Sequence, residues 1–192
     1  MIEDDEETRR PAGRGHATGA AATWGLLAAW AVHDLEELAT VRRWARNRVP
    51  VLRTRHPAVP EAVWRRLEAS GGREFAGAVG VMALIVAAAA ADGHRTGGRS
   101  AFYQVALNGF GLHGAVHVGQ ALATRGYTPG VVTSPLLVVP FTLWARGRLR
   151  RAGVLRPGRA RDAVHGLALA GAATAGAHLV ARRLMARSPG GR

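Results

Sequence analysis

The chain has 192 residues, nearly half of them apolar, and a formal net charge of +13 that comes wholly from Arg, since it contains no Lys. It has no Cys, which excludes disulfides and thiolate metal ligands, and its length is one domain's worth, enough for a four- or five-helix bundle. The apolar residues are gathered in blocks with the charge between them, a pattern of membrane-spanning helices; a soluble domain would mix the two at helical spacing.

The Arg residues flank the apolar blocks and form no single basic face or nucleic-acid motif, so the charge points to anionic lipid headgroups and away from nucleic acid. Abundant Ala and Gly suit close helix contacts in lipid. The expected fold is therefore all-α: a polytopic transmembrane helical bundle of about five hydrophobic segments, in the cell membrane, as a monomer or small homo-oligomer.

In chain order, residues 1–16 read as a disordered polar tail, and 17–186 as a single transmembrane helical domain. The first span is about 17–41. It carries a charged cluster and no convincing cleavage site, so it is expected to be retained. A polar link, Arg42–Arg73, follows with nine Arg and three prolines. Within it, residues 60–69 start on Pro60 and place Val63, Trp64 and Leu67 on one side, a short amphipathic helix for the membrane surface. The second span is about 74–91, and its closing alanines, Ala87 to Ala91, are too weakly apolar for a lipid-facing position and belong inside the bundle. The third span is about 101–124.

The fourth stretch, 130–145, is short and holds Pro135 and Pro140, so it either crosses as a broken helix or turns back as a re-entrant segment. A re-entrant fourth segment puts both Arg-rich links on one side, as the positive-inside bias prefers, whereas its length nearly suffices to cross. The last span is about 163–185, with His165 and His178, and residues 187–192 form a second tail. Trp24, Trp30, Trp44, Trp64 and Trp144 fit interface anchoring. His16, His56 and His94 fall in tails and links.

Chemistry concentrates where ionisable groups interrupt apolar runs. His33, Asp34, Glu36 and Glu37 sit inside the first span, and each charge held mid-bilayer costs on the order of 2.5–3.5 kcal/mol on insertion scales, so the cluster needs partners or a task. Residues three and four apart share a helix face, which puts His33, Glu36 and Glu37 on one side; Asp34 lies about 100° from His33. His33–Glu37 and, in the third span, His113–His117 are i,i+4 pairs able to grip one ion from one face. Facing each other, they supply three imidazoles and a carboxylate, with Glu36 beside them: a set for Zn²⁺, Fe or Mn with a neighbouring general base, or for a carboxylate-bridged pair of metals. Gln120, Asn108, Glu74, His178 and Tyr127 are candidate supporting residues. The alternatives are an interfacial helix end for the first cluster and hydrogen-bonded helix packing for the His pair. Tyr127-Thr-Pro-Gly130 is a turn by its chemistry.

His33-Asp-Leu-Glu36-Glu37, placed in a first span and followed by His117-x-x-Gln120 and Tyr127-Thr-Pro-Gly130-Val-Val-Thr133, resembles the HXXEE family of integral membrane proteins over about Ala17 to Pro140. The family's second motif, Asn-x-x-x-His, aligned on His117, has His113 in place of Asn, and His can ligate where Asn mostly hydrogen-bonds. The resemblance implies an enzyme by the same reasoning from intramembrane polar residues and carries no reaction with it. The expected function is an intramembrane His/Glu enzyme with a divalent metal, acting on a lipid-like or hydrophobic small molecule. Glu36, His33 and Glu37 are its catalytic candidates, and His33, Glu36, Glu37, His113 and His117 its metal ligands. The chemistry is metal-dependent hydrolysis or oxidation, or metal-free His/Glu acid–base isomerisation. The alternative is a non-enzymatic membrane protein whose cluster serves proton or metal transport or helix packing.

Overall fold

The computed structural model describes residues 18–68, 72–157, 171–181 and 183. Both predicted tails, His165 and the opening part of the predicted last span lie outside the described residues. Among the described residues every regular element is helical: α1 (Gly19–Arg55), α2 (Glu61–Glu68), α3 (Arg73–Arg95), α4 (Ala101–Thr124), a π-helical turn (Ser134–Val138) running into α5 (Val139–Arg151), and a helix over 171–181, here α6.

The first predicted span continues as helix to Arg55, well past Val41. Val41, Ala45, Val49 and Leu52 recur at three- and four-residue spacing and are buried, and the Arg residues between them are good helix formers. Pro50 is carried inside the helix on its exposed side. The amphipathic helix predicted for the membrane surface is α2, and it docks on α1: Trp64 is 5% exposed and shares a small core with Ala45, Val49 and Leu52. Arg53 reaches Glu68 at 2.8 Å and Glu61 at 3.3 Å, contacts that are worth little at an exposed site beside the burial of Trp64. Trp30 is likewise a core residue, whereas Trp24 and Trp144 are exposed.

α3 packs along α1 and α4. Its Ala89 and Ala90 are fully buried. The helix runs past Asp92 to Arg95, so His94 belongs to its last turn, with its ring 6.1 Å from that of Trp24. Ser100 caps α4 by accepting from the Tyr103 backbone N–H at 3.1 Å while its hydroxyl donates to Asp92. Just inside α4, the Tyr103 ring lies against Gly93, where a Cβ would come within 2.6 Å of it, and its hydroxyl donates to the Ala22 carbonyl at 2.5 Å. That contact ties α1, α3 and α4 at one level of the main core, which also holds Leu26, Leu107 and Leu149.

The fourth apolar stretch is one helical run from Ser134 to Arg151. Pro140 has no N–H to give to the preceding turn, and the chain relaxes there into π geometry, the Val139 N–H reaching back five residues to Ser134. Among the described residues, Arg73–Arg95 is the one helix long and apolar enough to cross a membrane by length and composition, against the five crossings predicted.

Candidate metal centre

α1 and α4 present the two i,i+4 pairs to each other. One potential ligand atom from each of His33, Glu37, His113 and His117 lies within 4.8 Å of the other three. The imidazole centroids are 5.1 Å apart for His33–His113, 5.0 Å for His33–His117 and 4.3 Å for His113–His117, all near-perpendicular or steeply tilted. His117 Nε2 lies 2.9 Å from His113 Nε2 and 3.0 Å from Glu37 Oε1. A neutral imidazole carries one proton, so that nitrogen can donate to one of these neighbours only. Lone pairs outnumber protons across the set, the condition a cation relieves. His33 and His117 are buried, and the Nε2 of His33 has no hydrogen-bond partner.

Glu36 faces elsewhere. Its carboxylate accepts from the Tyr127 hydroxyl at 2.8 Å, the Val132 N–H at 3.2 Å, the Thr133 N–H at 2.8 Å and the Thr133 hydroxyl at 2.6 Å. Adjacent helical positions diverge by about 100°, so Glu36 clamps the 127–133 turn while Glu37 meets the imidazoles. Thr133 Oγ1 also lies 2.7 Å from His33 Nδ1. A hydroxyl has one proton; with that proton given to the ionised Glu36, it accepts from His33 Nδ1–H, which leaves the lone pair of His33 on Nε2. This is the hydrogen-bonded partner that orients a ligating imidazole. Sequence reasoning gave Thr133 no role, its only signal being its place at the end of the Tyr127–Thr133 motif.

The turn itself is the lid of the imidazole cluster. Gly130 has φ +81°, and a Cβ there would stand 2.8 Å from His33 Cε1 and 3.0 Å from His117 Nδ1. Glycine therefore meets both a backbone and a space requirement. Burial raises the Tyr127 phenol above its ordinary pKa, with a bond to Thr40 opposing and the Glu36 carboxylate adding to the rise, which keeps the hydroxyl a donor. The backbone carbonyl of Tyr127 accepts from Trp44 Nε1 at 2.8 Å, fixing the turn to α1 from its other side.

The supporting residues are dispersed. Asn108 is exposed and accepts from Arg146 on the outer side of α4 and α5; Gln120 is exposed. His178 of α6 bonds Glu74 of α3 at 3.1 Å. His178 lines a cavity of about 370 Å³ between α1, α3, α4 and α6, into which Asp34, Glu37 and His113 also face. The surface that His113 exposes therefore includes cavity wall. Asp34, set apart from the cluster by sequence reasoning, is 8% exposed, and among the described residues it has no hydrogen-bond partner.

No curated protein and no solved structure matches the chain. The family described as "Protein of unknown function with HXXEE motif" matches residues 24–145, which hold His33, Glu36, Glu37, His113, His117 and the Tyr127–Thr133 turn. The chain belongs to that HXXEE family.

Proposed function

We propose that this protein is a membrane-embedded enzyme in which His33, Glu37, His113 and His117 hold one divalent cation at the polar side of an apolar cavity. The observation that carries the reading is the convergence of those four ligands from two helices. Three imidazoles and a carboxylate suit Zn²⁺, Fe or Mn. When bound, the cation supplies Lewis acidity to a substrate oxygen. Glu36, with four donors on its carboxylate, acts as a clamp and not as the base; proton handling falls to Glu37 and Asp34, the carboxyls that line the cavity. The cavity lies within the roughly 300–1,000 Å³ range of small-molecule sites and is walled mostly by apolar side chains, which favours a hydrophobic substrate.

Several features support the membrane reading. α3 qualifies as a span, and Leu35 on α1, Leu84 on α3, Leu122 on α4, and Leu136 and Leu143 on the run from Ser134 to Arg151 are 63–74% exposed. Apolar surface repeated on that many helices suits contact with lipid. α1 and α4 fall short in hydropathy because polar side chains interrupt them: His33, Asp34, Glu36 and Glu37 on one, and on the other His113 and His117 of the cluster together with the exposed Asn108 and Gln120. A multi-pass arrangement in the cell membrane, with the Arg-rich ends of α1 and α5 at anionic headgroups, follows from this reading.

The test is elemental analysis of detergent-purified protein beside His113→Ala and Glu37→Gln variants of matching helical content. Stoichiometric metal in the wild type, lost from both variants, is the expected result. A well-folded wild type that stays metal-free after incubation with Zn²⁺, Fe²⁺ and Mn²⁺ overturns the metal centre and leaves the His117–Glu37 pair, 3.0 Å apart, as an acid–base dyad.

A further inference from the structure

The cavity that opens beside the ligands has a definite length and girth. His113 and Phe102 both line it, eleven residues apart on α4, which sets its extent at about 16 Å. Spread over that length, about 370 Å³ makes a long, narrow cavity, the shape of an extended hydrocarbon chain. The two ends differ. Asp34, Glu37 and His113 form a polar end, whereas Val105 and Phe102 mark an apolar one, and both are exposed, so that end opens at the protein surface.

The charge of the lining restricts the head of any ligand. The chain has 26 Arg, yet none is among the lining residues, and two carboxyl groups are. The side chains thus offer a phosphate or carboxylate head acceptors and no Arg, and the one positive group within reach would be the cation held by Glu37 and His113. Asp34, buried and without a partner among the described residues, offers an acceptor for which a hydroxyl is the fitting donor.

Resting on the enzyme reading above for its chemistry but not for its geometry, the structure assigns this cavity, we propose, to a neutral single-chain lipid with a hydroxyl-bearing head. The head lies at Asp34, Glu37 and His113, and the tail runs along Ala106 and Val105 to the opening at Phe102.

The experiment uses the full chain reconstituted in phosphatidylcholine vesicles, with radiolabelled tetradecanol as probe and metal content read on the same samples. The wild type should retain about one alcohol per chain. Ala106→Phe, which fills the tail channel, and Val105→Trp, which obstructs its exposed mouth without entering the core, should each lower retention about tenfold with metal content unchanged. Asp34→Ala should lower it by a similar factor, and in metal-stripped protein tetradecanoate should compete poorly.

Retention that is indifferent to both tail-channel variants overturns the proposal, as does equal competition by tetradecanoate in metal-stripped protein or the recovery of a two-chain phospholipid in the alcohol's place. The metal assay separates the two readings. Alcohol held by a metal-free protein leaves the cavity assignment standing and removes the metal centre, and bound metal without alcohol retention does the reverse.

Discussion

Thr133 Oγ1 lies 2.7 Å from His33 Nδ1, across 100 residues of sequence, with the Glu36 carboxylate 2.6 Å beyond it. The three groups form a relay from a carboxylate to an imidazole that faces the other ligands with its second nitrogen. Removing the hydroxyl should cost metal affinity without removing a ligand. Thr133→Val is expected to weaken metal binding about 10–100-fold, and Thr133→Ser to restore most of it, as measured by chelator competition on purified protein.

Gly130 holds its positive φ directly over two imidazoles. Gly130→Ala combines a left-handed alanine, a strain of about 1–3 kcal/mol, with a Cβ that must push His33 or His117. The expected outcome is a lower unfolding temperature in detergent together with weakened metal retention. A variant that unfolds earlier but binds metal normally would show that the turn serves the fold alone.

Tyr127→Phe removes one of four donors to Glu36 and leaves the three from Val132 and Thr133. The loss should be about 1 kcal/mol, seen as increased hydrogen exchange in the 127–133 turn. Metal affinity should fall by less than in Thr133→Val, because the relay to His33 stays intact.

Trp64 is the anchor of α2, and α2 touches nothing in the site. Trp64→Ala should release that helix at a cost of about 3–5 kcal/mol for a buried aromatic, read as new protease sensitivity between residues 56 and 68. Metal content should be unchanged. Asn108→Ala is the matching control on α4: its partner is Arg146 on an exposed face, and metal affinity should stay within about twofold of wild type.

Helical spacing alone made much of the centre legible. His33–Glu37 and His113–His117 are i,i+4 pairs, and such pairs meet a common point when their helices face each other, as they do here. Spacing was silent on how two adjacent glutamates divide their work. Glu36 and Glu37 differ by one helical step, and which one faces the imidazoles depends on where the 127–133 turn docks, a contact between residues about a hundred positions apart. Asp34 was obscured for the same reason, since its wall of the cavity is completed by α3 and α6. The ends of α1 and α3 escape a reading by composition because Arg42–Arg55 and Asp92–Arg95 are polar yet held in the helix by packing, the first through Val41, Ala45, Val49 and Leu52 and the second through Gly93 against Tyr103. The hydropathy of α1 and α4, finally, is diluted by the polar residues they carry, within the cluster and outside it.

The four clustered residues, His33, Glu37, His113 and His117, all fall within positions 24–145, whereas Thr174, Ala177 and His178, which close the cavity from α6, fall beyond them. Cluster and far cavity wall are thus separate provinces of one chain. α6 meets α3 through Ala177 and Ala181 against Gly77 and Ala78, with His178 bonded to Glu74 beside them, so exchanging or re-angling that one helix would reshape the space offered to a guest while sparing the cluster. The shape of the cavity can therefore change through a segment that lies outside the four-residue cluster.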